Sequence, residues 1–268
     1  MAKDEEILTK RHIKKLEHHI KTVEKRDRIL KKDKSSDSAV MEEVFDRLTL
    51  MTIYDIMNNG FIQDLHGVVK VGKEARVYRG INNEGIDFAV KIYLVTARNF
   101  KKMLMYIEGD PRFKNIRKDS RSIIYLWAKK EFKNLQSAFQ SDIKVPKPIV
   151  VKNNVLVMEF IGEDGIPAPL LKDLPPEKPE PMYLEILNQI KNLYKKAKLV
   201  HGDVSEYNIM NYDEKPVLFD LSQAVSIKHP MANELLKRDL NQVNWFFSRL
   251  GVTIQSLDQL MEWFLKNE

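Results

Sequence analysis

A chain of 268 residues with 43% hydrophobic and 31% charged residues is long enough for two units, each with its own core, under a heavily ionised surface. It has no cysteine, which excludes disulfides and thiolate metal sites, and no apolar run approaches the length of a membrane span. Met1–Glu6 lacks the apolar core of a signal peptide, so a soluble cytoplasmic protein without a membrane partner is expected.

The net charge of +6 is unevenly placed: residues 1–34 hold twelve Lys and Arg against seven Asp and Glu, an excess of five. Within them Ile13, Leu16, Ile20 and Val23 recur at helical spacing, and Lys34–Ser38 reads as a linker. Residues 1–38 are therefore expected to form a basic helical extension. Such an arm is either a solvated helix or an attractor of polyanions such as RNA.

Residues 39–66 read as short accessory helices. The main one runs from about Met41 to Met57, with Val44, Leu48 and Met51 on one face and Asn58-Asn59-Gly60 as its stop. From Gly67 the pattern alternates through Val69, Val71, Val77 and Tyr78, turns at Asn82–Gly85, and resumes as Phe88–Tyr93, which predicts strands joined by tight turns. Thr96–Arg121 is polar and basic and reads as a flexible insertion with short helical pieces. A helix follows from about Ser122 past Leu135, then a hairpin of Ile149–Val151 and Val155–Phe160 about Lys152–Asn154. Prolines from Pro167 to Pro181 mark an extended crossing, and helices return at Met182–Ala197, Asn233–Leu250 and Ser256–Leu265. Strands followed by helices predict an α+β fold of two lobes, residues 67–161 with the insertion at 96–121, and residues 162–268.

The chemistry concentrates in Leu199–Met210, where apolar pairs flank a polar centre that holds Asp203 and Asn208 at the spacing D-x-x-x-x-N. Twelve residues after Asn208, the apolar run Val217-Leu218-Phe219 ends on Asp220. One carboxylate to orient a hydroxyl, then an amide and a carboxylate for a metal, is what phosphoryl transfer requires. Each piece alone also fits an ordinary Asp-Asn turn. Four further elements bear on the same chemistry. Lys91 ends the apolar strand Phe88–Val90, where it can reach nucleotide phosphates, and Glu131 on a helix can pair with it. The turn Gly72-Lys73-Glu74-Ala75 retains one glycine able to bring backbone N–H groups close to phosphate. Met158-Glu159-Phe160-Ile161 ends a strand where backbone groups of Glu159 and Ile161 can bond adenine, with Met158 behind the ring.

These residues resemble the Rio-type atypical serine/threonine protein kinases, of the first Rio subfamily and archaeal-like, over roughly residues 45–250. The specific markers are Gly72–Ala75, His201-Gly202-Asp203 with Asn208, and Asp220–Val225, supported by Thr52-Ile53-Tyr54 and the insertion between Lys91 and Glu131. The resemblance implies a protein-kinase-like fold with a β-rich N-lobe and a helical C-lobe. ATP would bind with Mg²⁺, or Mn²⁺ in its place. Lys91 would contact the phosphates, Glu131 would orient Lys91, Asp203 would be the catalytic carboxylate, and Asn208 and Asp220 would hold the metal. It also implies autophosphorylation in the insertion, with Ser120 and Ser122 as candidates, although either serine would also suit the cap of the following helix. The family's work in small ribosomal subunit maturation implies a pre-ribosomal partner of RNA and protein. Gly202 replaces the arginine of H-R-D and no A-P-E follows, so no phosphorylated activation loop is needed to arm the site. With 48 residues beyond Asp220, a truncated C-lobe is expected. Three functions remain open: a protein kinase that works mainly as a kinase or mainly as an ATPase, a non-catalytic assembly factor latched by nucleotide, and a small-molecule kinase, which also carries H-G-D.

Overall fold

The computed structural model describes residues 46–95, 100–113 and 116–266, and the chain divides into two compact units. The first takes the chain up to Phe100 with Lys118–Lys129 and Pro148–Phe160; the second takes Lys101–Arg117, Lys130–Lys147 and Ile161 onward. The expected basic extension of residues 1–38 lies outside the described residues.

The first unit is built on a five-stranded antiparallel sheet of order β1-β2-β3-β5-β4: β1 (Asp64–Val71), β2 (Ala75–Ile81), β3 (Asp87–Tyr93), β4 (Pro148–Lys152) and β5 (Val155–Glu159). β1 starts three residues earlier than its alternation predicts. Register shifts on either side of Val68 put two breaks in the pairing with β2, and such bulges disrupt the period of two. Helix α1 (Arg47–Asn58) packs Leu50, Ile53 and Ile56 into one core with Ile62, Leu65, Tyr78, Val90, Ile92, Val155 and Val157. The accessory segment is thus a single described helix, and its packed face is Leu50, Ile53 and Ile56 rather than the expected stripe, of which Leu48 is 50% exposed.

Polar contacts fix that packing. Asn154 Nδ2 donates to Thr49 Oγ1 and to the Tyr93 carbonyl, both at 2.9 Å, and Asn153 Nδ2 donates to Thr52 Oγ1 at 2.8 Å. At the helix start, Asp46 accepts from the Thr49 amide at 2.8 Å and pairs with Arg121 at 2.6 Å. That capping bond satisfies one of the orphan amides of the first turn.

Helix α2 (Phe100–Ile107) occupies part of the stretch expected to be a flexible insertion. Its Met103, Tyr106 and Ile107 are buried, so this stretch is a packed helix, disguised in sequence by Lys101 and Lys102 and by the Gly109-Asp110-Pro111 break. Helix α3 (Ser120–Gln140) begins at Asp119, whose carboxylate accepts from the Ser122 amide at 2.9 Å. The cap is therefore Asp119, and Ser120 and Ser122 both lie inside the first turn that it caps.

The second unit carries α4 (Pro179–Lys195), α5 (Ala232–Arg249) and α6 (Leu257–Leu265). Its core includes Ile186, Leu187, Ile190, Leu235, Leu240, Phe247 and Phe264. The proline-rich crossing is shorter than expected, since Pro179 and Pro181 already lie in α4; at its start come a hairpin of two-residue strands, β6 (Gly162–Glu163) with β7 (Ile166–Pro167), and a bridge of Leu170 to Met210. Two short antiparallel ladders complete the unit: β8 (Leu199–Val200) with β11 (Val225–Ser226), and β9 (Ile209–Tyr212) with β10 (Lys215–Leu218).

Candidate active site

The two ladders assemble the site. In the first, Val200 pairs with Val225, so His201-Gly202-Asp203 leaves one strand where Leu221–Ala224 enters the other. In the second, Ile209 pairs with Leu218, so Asn208 and Phe219-Asp220 stand at the same open end of a hairpin. The Phe219 amide donates to the Asn208 carbonyl at 3.2 Å and closes that end. Residues far apart in sequence meet because four strands of two to four residues each fix their ends.

Asp203 is the hub. Its Oδ2 accepts from Asn208 Nδ2 at 3.1 Å and from Gln223 Nε2 at 2.9 Å. Neither bond uses Oδ1, the oxygen then suited to meet a hydroxyl. Burial and the nearby Asp220 raise the Asp203 carboxyl above the ordinary range, while Arg238, Lys102 and Asn208 oppose that rise. Asp220 accepts from Ser222 Oγ at 2.9 Å and sits at φ 59°, a left-handed conformation uncommon for a side-chain-bearing residue.

The backbone beneath Asp203 is pinned from α5. Asp239, fully buried, accepts from the Gly202 amide at 2.7 Å and from the Val204 amide at 3.0 Å. Burial pushes the Asp239 carboxyl up to about 7, against these two bonds and Arg238. Arg238 in turn donates to the Gly202 carbonyl. Gly202 has φ 76°, and an added Cβ would find only ordinary contacts, so its backbone angle rather than crowding calls for glycine. His201 is fully buried and its Nε2 lies 3.1 Å from the Phe219 carbonyl. A carbonyl only accepts, so Nε2 carries the hydrogen. Desolvation holds this imidazole down to about 4, hence neutral at pH 7.

The remaining candidates divide between the units. The first unit holds Lys91, which is buried at the centre of β3 between Val77 and Leu156, with its Nζ 5.1 Å from the Tyr93 ring centroid. It also holds the β1–β2 turn, where the Gly72 amide donates to the Ala75 carbonyl at 3.0 Å; a Cβ on Gly72 would come within 2.9 Å of that oxygen. Lys73 and Glu74 lie in this turn, and Met158 and Glu159 end β5. Ser120 is exposed and Ser122 half-buried at the start of α3. The second unit holds Asp203, Asn208 and Asp220 together, the fully buried Glu131, and Ile161, whose carbonyl accepts from the Ala168 amide at 2.9 Å.

Asp239, Lys130 and Asn134 were not singled out by the sequence, although a signal existed, and Gln223 was named only as part of the Asp220–Val225 marker. On α5 the apolar positions Leu236, Leu240 and Val243 run at helical spacing, and Asp239 falls on the same buried face. On α3, Lys130 and Asn134 likewise fall on the buried face of Ile123 and Trp127.

The donor set suits a hard cation: two neighbouring carboxylates that disfavour each other's charge, and an asparagine whose Nδ2 is turned to Asp203, which directs its oxygen elsewhere. Among the described residues no group of three or more His, Asp or Glu could hold a metal. Such a site fits Mg²⁺ shared with substrate phosphates better than an all-protein cage.

Comparison with known proteins identifies the family and the fold. A family model described as the RIO domain matches residues 76–260. The RIO-type serine/threonine-protein kinase Rio1 of Methanocaldococcus jannaschii is 43% identical over 227 residues, 84% of this chain and 77% of the relative. Its counterpart in Haloferax volcanii is 41% identical over 229 residues, 85% of this chain and 78% of the relative. The serine/threonine-protein kinase RIO1 of Caenorhabditis elegans is 39% identical over 251 residues; these are 92% of this chain but about half, 49%, of that protein. Among solved structures, the Rio2 kinase of Chaetomium thermophilum, in an ADP/Mg²⁺-phosphoaspartate complex, is similar in fold with TM-score 0.62 and 20% identity, over 80% of this chain and 66% of that one. Family model, relatives and fold agree, and the chain belongs to the RIO domain family, among its Rio1-type serine/threonine-protein kinases.

Proposed function

We propose that the protein transfers the γ-phosphoryl group of ATP, with Mg²⁺, to a serine or threonine hydroxyl, its own included, and that water is a competing acceptor. The observation that carries this reading is the set Asp203, Asn208 and Asp220, brought together by two ladders with Oδ2 of Asp203 held by two amides. Asp203 orients the acceptor hydroxyl through Oδ1. As the acceptor oxygen bonds to the γ-phosphorus, the bond from that phosphorus to the β–γ bridging oxygen breaks, ADP leaves, and the hydroxyl proton passes to Asp203. Asn208 and Asp220 would hold Mg²⁺, which when bound supplies positive charge against the phosphates. Lys91 contacts the phosphates, Glu131 orients Lys91, and Gly72-Lys73-Glu74-Ala75 covers them. Glu159 and Ile161 hold adenine by backbone groups, with Met158 against the ring.

Ser120 and Ser122 are the proposed self-acceptors, with exposed Ser120 the more accessible. A phosphoaspartate in the related Rio2 structure supports an additional route, in which a carboxylate takes the phosphoryl group and water releases it, giving net ATP hydrolysis. We place the protein in the cytoplasm at small-subunit maturation, with a pre-ribosomal RNA–protein particle as partner. The excess of twelve basic over seven acidic residues in positions 1–34 supports the RNA part of this reading.

The test uses ATP labelled at the γ-phosphate, with and without Mg²⁺. Mg²⁺-dependent label on serine, reduced in Ser120→Ala or Ser122→Ala, is expected together with release of free phosphate. Nucleotide binding without either product would favour a non-catalytic latch, and transfer to small alcohols in preference to protein would favour a small-molecule kinase.

A further inference from the structure

Leu221–Ala224, the loop after Asp220, is held on two sides. Its side chains face the reacting groups: Ser222 Oγ donates to Asp220 Oδ1 and Gln223 Nε2 to Asp203 Oδ2, both at 2.9 Å. Its carbonyls face α3. Lys130 Nζ donates to the Ser222 carbonyl at 2.9 Å and to the Ala224 carbonyl, and Asn134 Nδ2 donates to the Leu221 and Ala224 carbonyls at 2.8 and 2.9 Å. Lys130 and Asn134 are both fully buried.

The chain of bonds continues beyond α3. Asn134 Oδ1 accepts from Arg112 Nη1 at 2.8 Å, which fixes the orientation of the amide so that its Nδ2 must face the loop. The other edge of the Arg112 guanidinium grips Asp110 through Nε at 2.9 Å and Nη2 at 2.6 Å. The Asp110 side chain is wholly buried and Arg112 is 25% exposed. Burial raises the Asp110 carboxyl, but bonding and charge from Arg112 outweigh this and hold it below the usual range, so the pair stays ionised. Just before this pair, the Glu108 carbonyl bonds His229 Nε2 at 2.8 Å, which anchors the segment to the turn before α5.

We infer that Arg112 is a positioning residue for phosphoryl transfer, acting through Asn134 on the Leu221–Ala224 loop and thereby on Asp203 and Asp220. The inference rests on the reading of Asp203 and Asp220 as the reacting pair. Guanidinium and amide form a directional relay, since each bond dictates which end of the next amide faces inward. Loss of the Arg112 bond frees Asn134 to turn, and the loop carbonyls then lose a fixed donor. Small displacements of a reacting group cost far more in rate than in binding, so the signature belongs in kcat.

The test is a double-variant cycle in the full chain, reading kcat, KM for ATP and Tm for Arg112→Ala, Gln223→Ala and the pair. Each single change is expected to lower kcat about tenfold with KM within about twofold. The pair should be at most about twofold slower than the slower single variant, because both act through one loop. Arg112→Lys keeps the ion pair with Asp110 but has no second branch for Asn134. It should fold and still lose kcat, which covers the case in which Arg112→Ala unfolds. Wild-type kcat in a folded Arg112→Lys, or single effects that multiply to about a hundredfold in the pair, would overturn the inference. Asp203→Ala, measured alongside, separates the two claims. If it turns over normally, the reading of the site fails; if it is slow while the Arg112 variants are fast, only the Arg112 inference fails.

Discussion

Asp203 is subject to opposing influences: burial and Asp220 work against its charge, while Arg238, Lys102 and Asn208 support it. The balance leaves its pKa raised, so the ionised form, which in the proposed mechanism orients a hydroxyl, is lost on acidification earlier than for an ordinary carboxylate. The acid limb of the rate profile should lie above 3.8, and Lys102→Ala should move it higher by removing a favourable charge. A limb that Lys102→Ala leaves in place, in low salt, would contradict this. His201 gives a stability signature of definite sign. Its folded pKa is lowered from 6.5 to about 4, so between those values the unfolded chain binds a proton that the folded chain refuses. Stability from this group is complete above 6.5 and falls with pH, by about 3 kcal/mol at the lower end. His201→Gln keeps a donor for the Phe219 carbonyl and should flatten the acid side of a Tm–pH curve; an unchanged slope would exclude His201 as its source. That Asp203, Asn208 and Asp220 come together was legible from their order and spacing, which match what a phosphoryl-transfer site needs. Gln223 and Asp239 act on them through hydrogen bonds of a loop and a helix whose placement the linear spacing does not encode.

Among the elements, α1 shows how little of a helix's role lies in its stripe. Its apolar residues predicted packing but on the face of Leu48, which is exposed; the packed face of Leu50, Ile53 and Ile56 is shared with Thr49 and Thr52, whose bonds to Asn154 and Asn153 join residues about a hundred positions apart. Asn154→Ala should lose about 1–3 kcal/mol by stranding the Thr49 hydroxyl and the Tyr93 carbonyl, measured as a shift in denaturant midpoint. A change of a few tenths would mean that apolar packing alone seats the helix. Asp239→Asn on α5 places an amide nitrogen against one of two backbone N–H groups, so a comparable loss of about 1–3 kcal/mol is expected, with reduced turnover. Wild-type stability and turnover would remove Asp239 as the anchor of the Gly202–Val204 backbone. The α2 segment is one of the short helical pieces expected in the insertion, but its packing was not legible, since its buried Met103, Tyr106 and Ile107 are too few to stand out among lysines.

For the molecule as a whole, the α+β plan was readable from strands preceding helices, and the chain divides into two compact units. The unit boundaries were less readable, because α3 contributes to both: the first unit reaches Lys129 and the second resumes at Lys130. No described helix is long and apolar enough to cross a membrane. The charge of the chain concentrates at its start, and deleting residues 1–38 should lower RNA affinity and flatten its salt dependence. An unchanged salt slope would show that the basic residues face solvent only.

The central claim is that Asp203 is the carboxylate at which the acceptor is activated. The most direct measurement compares Mg²⁺-dependent ATP turnover and ATP affinity in wild type and Asp203→Ala. Turnover should fall by about a hundredfold or more while ATP affinity is kept; equal turnover in the two proteins would contradict the account.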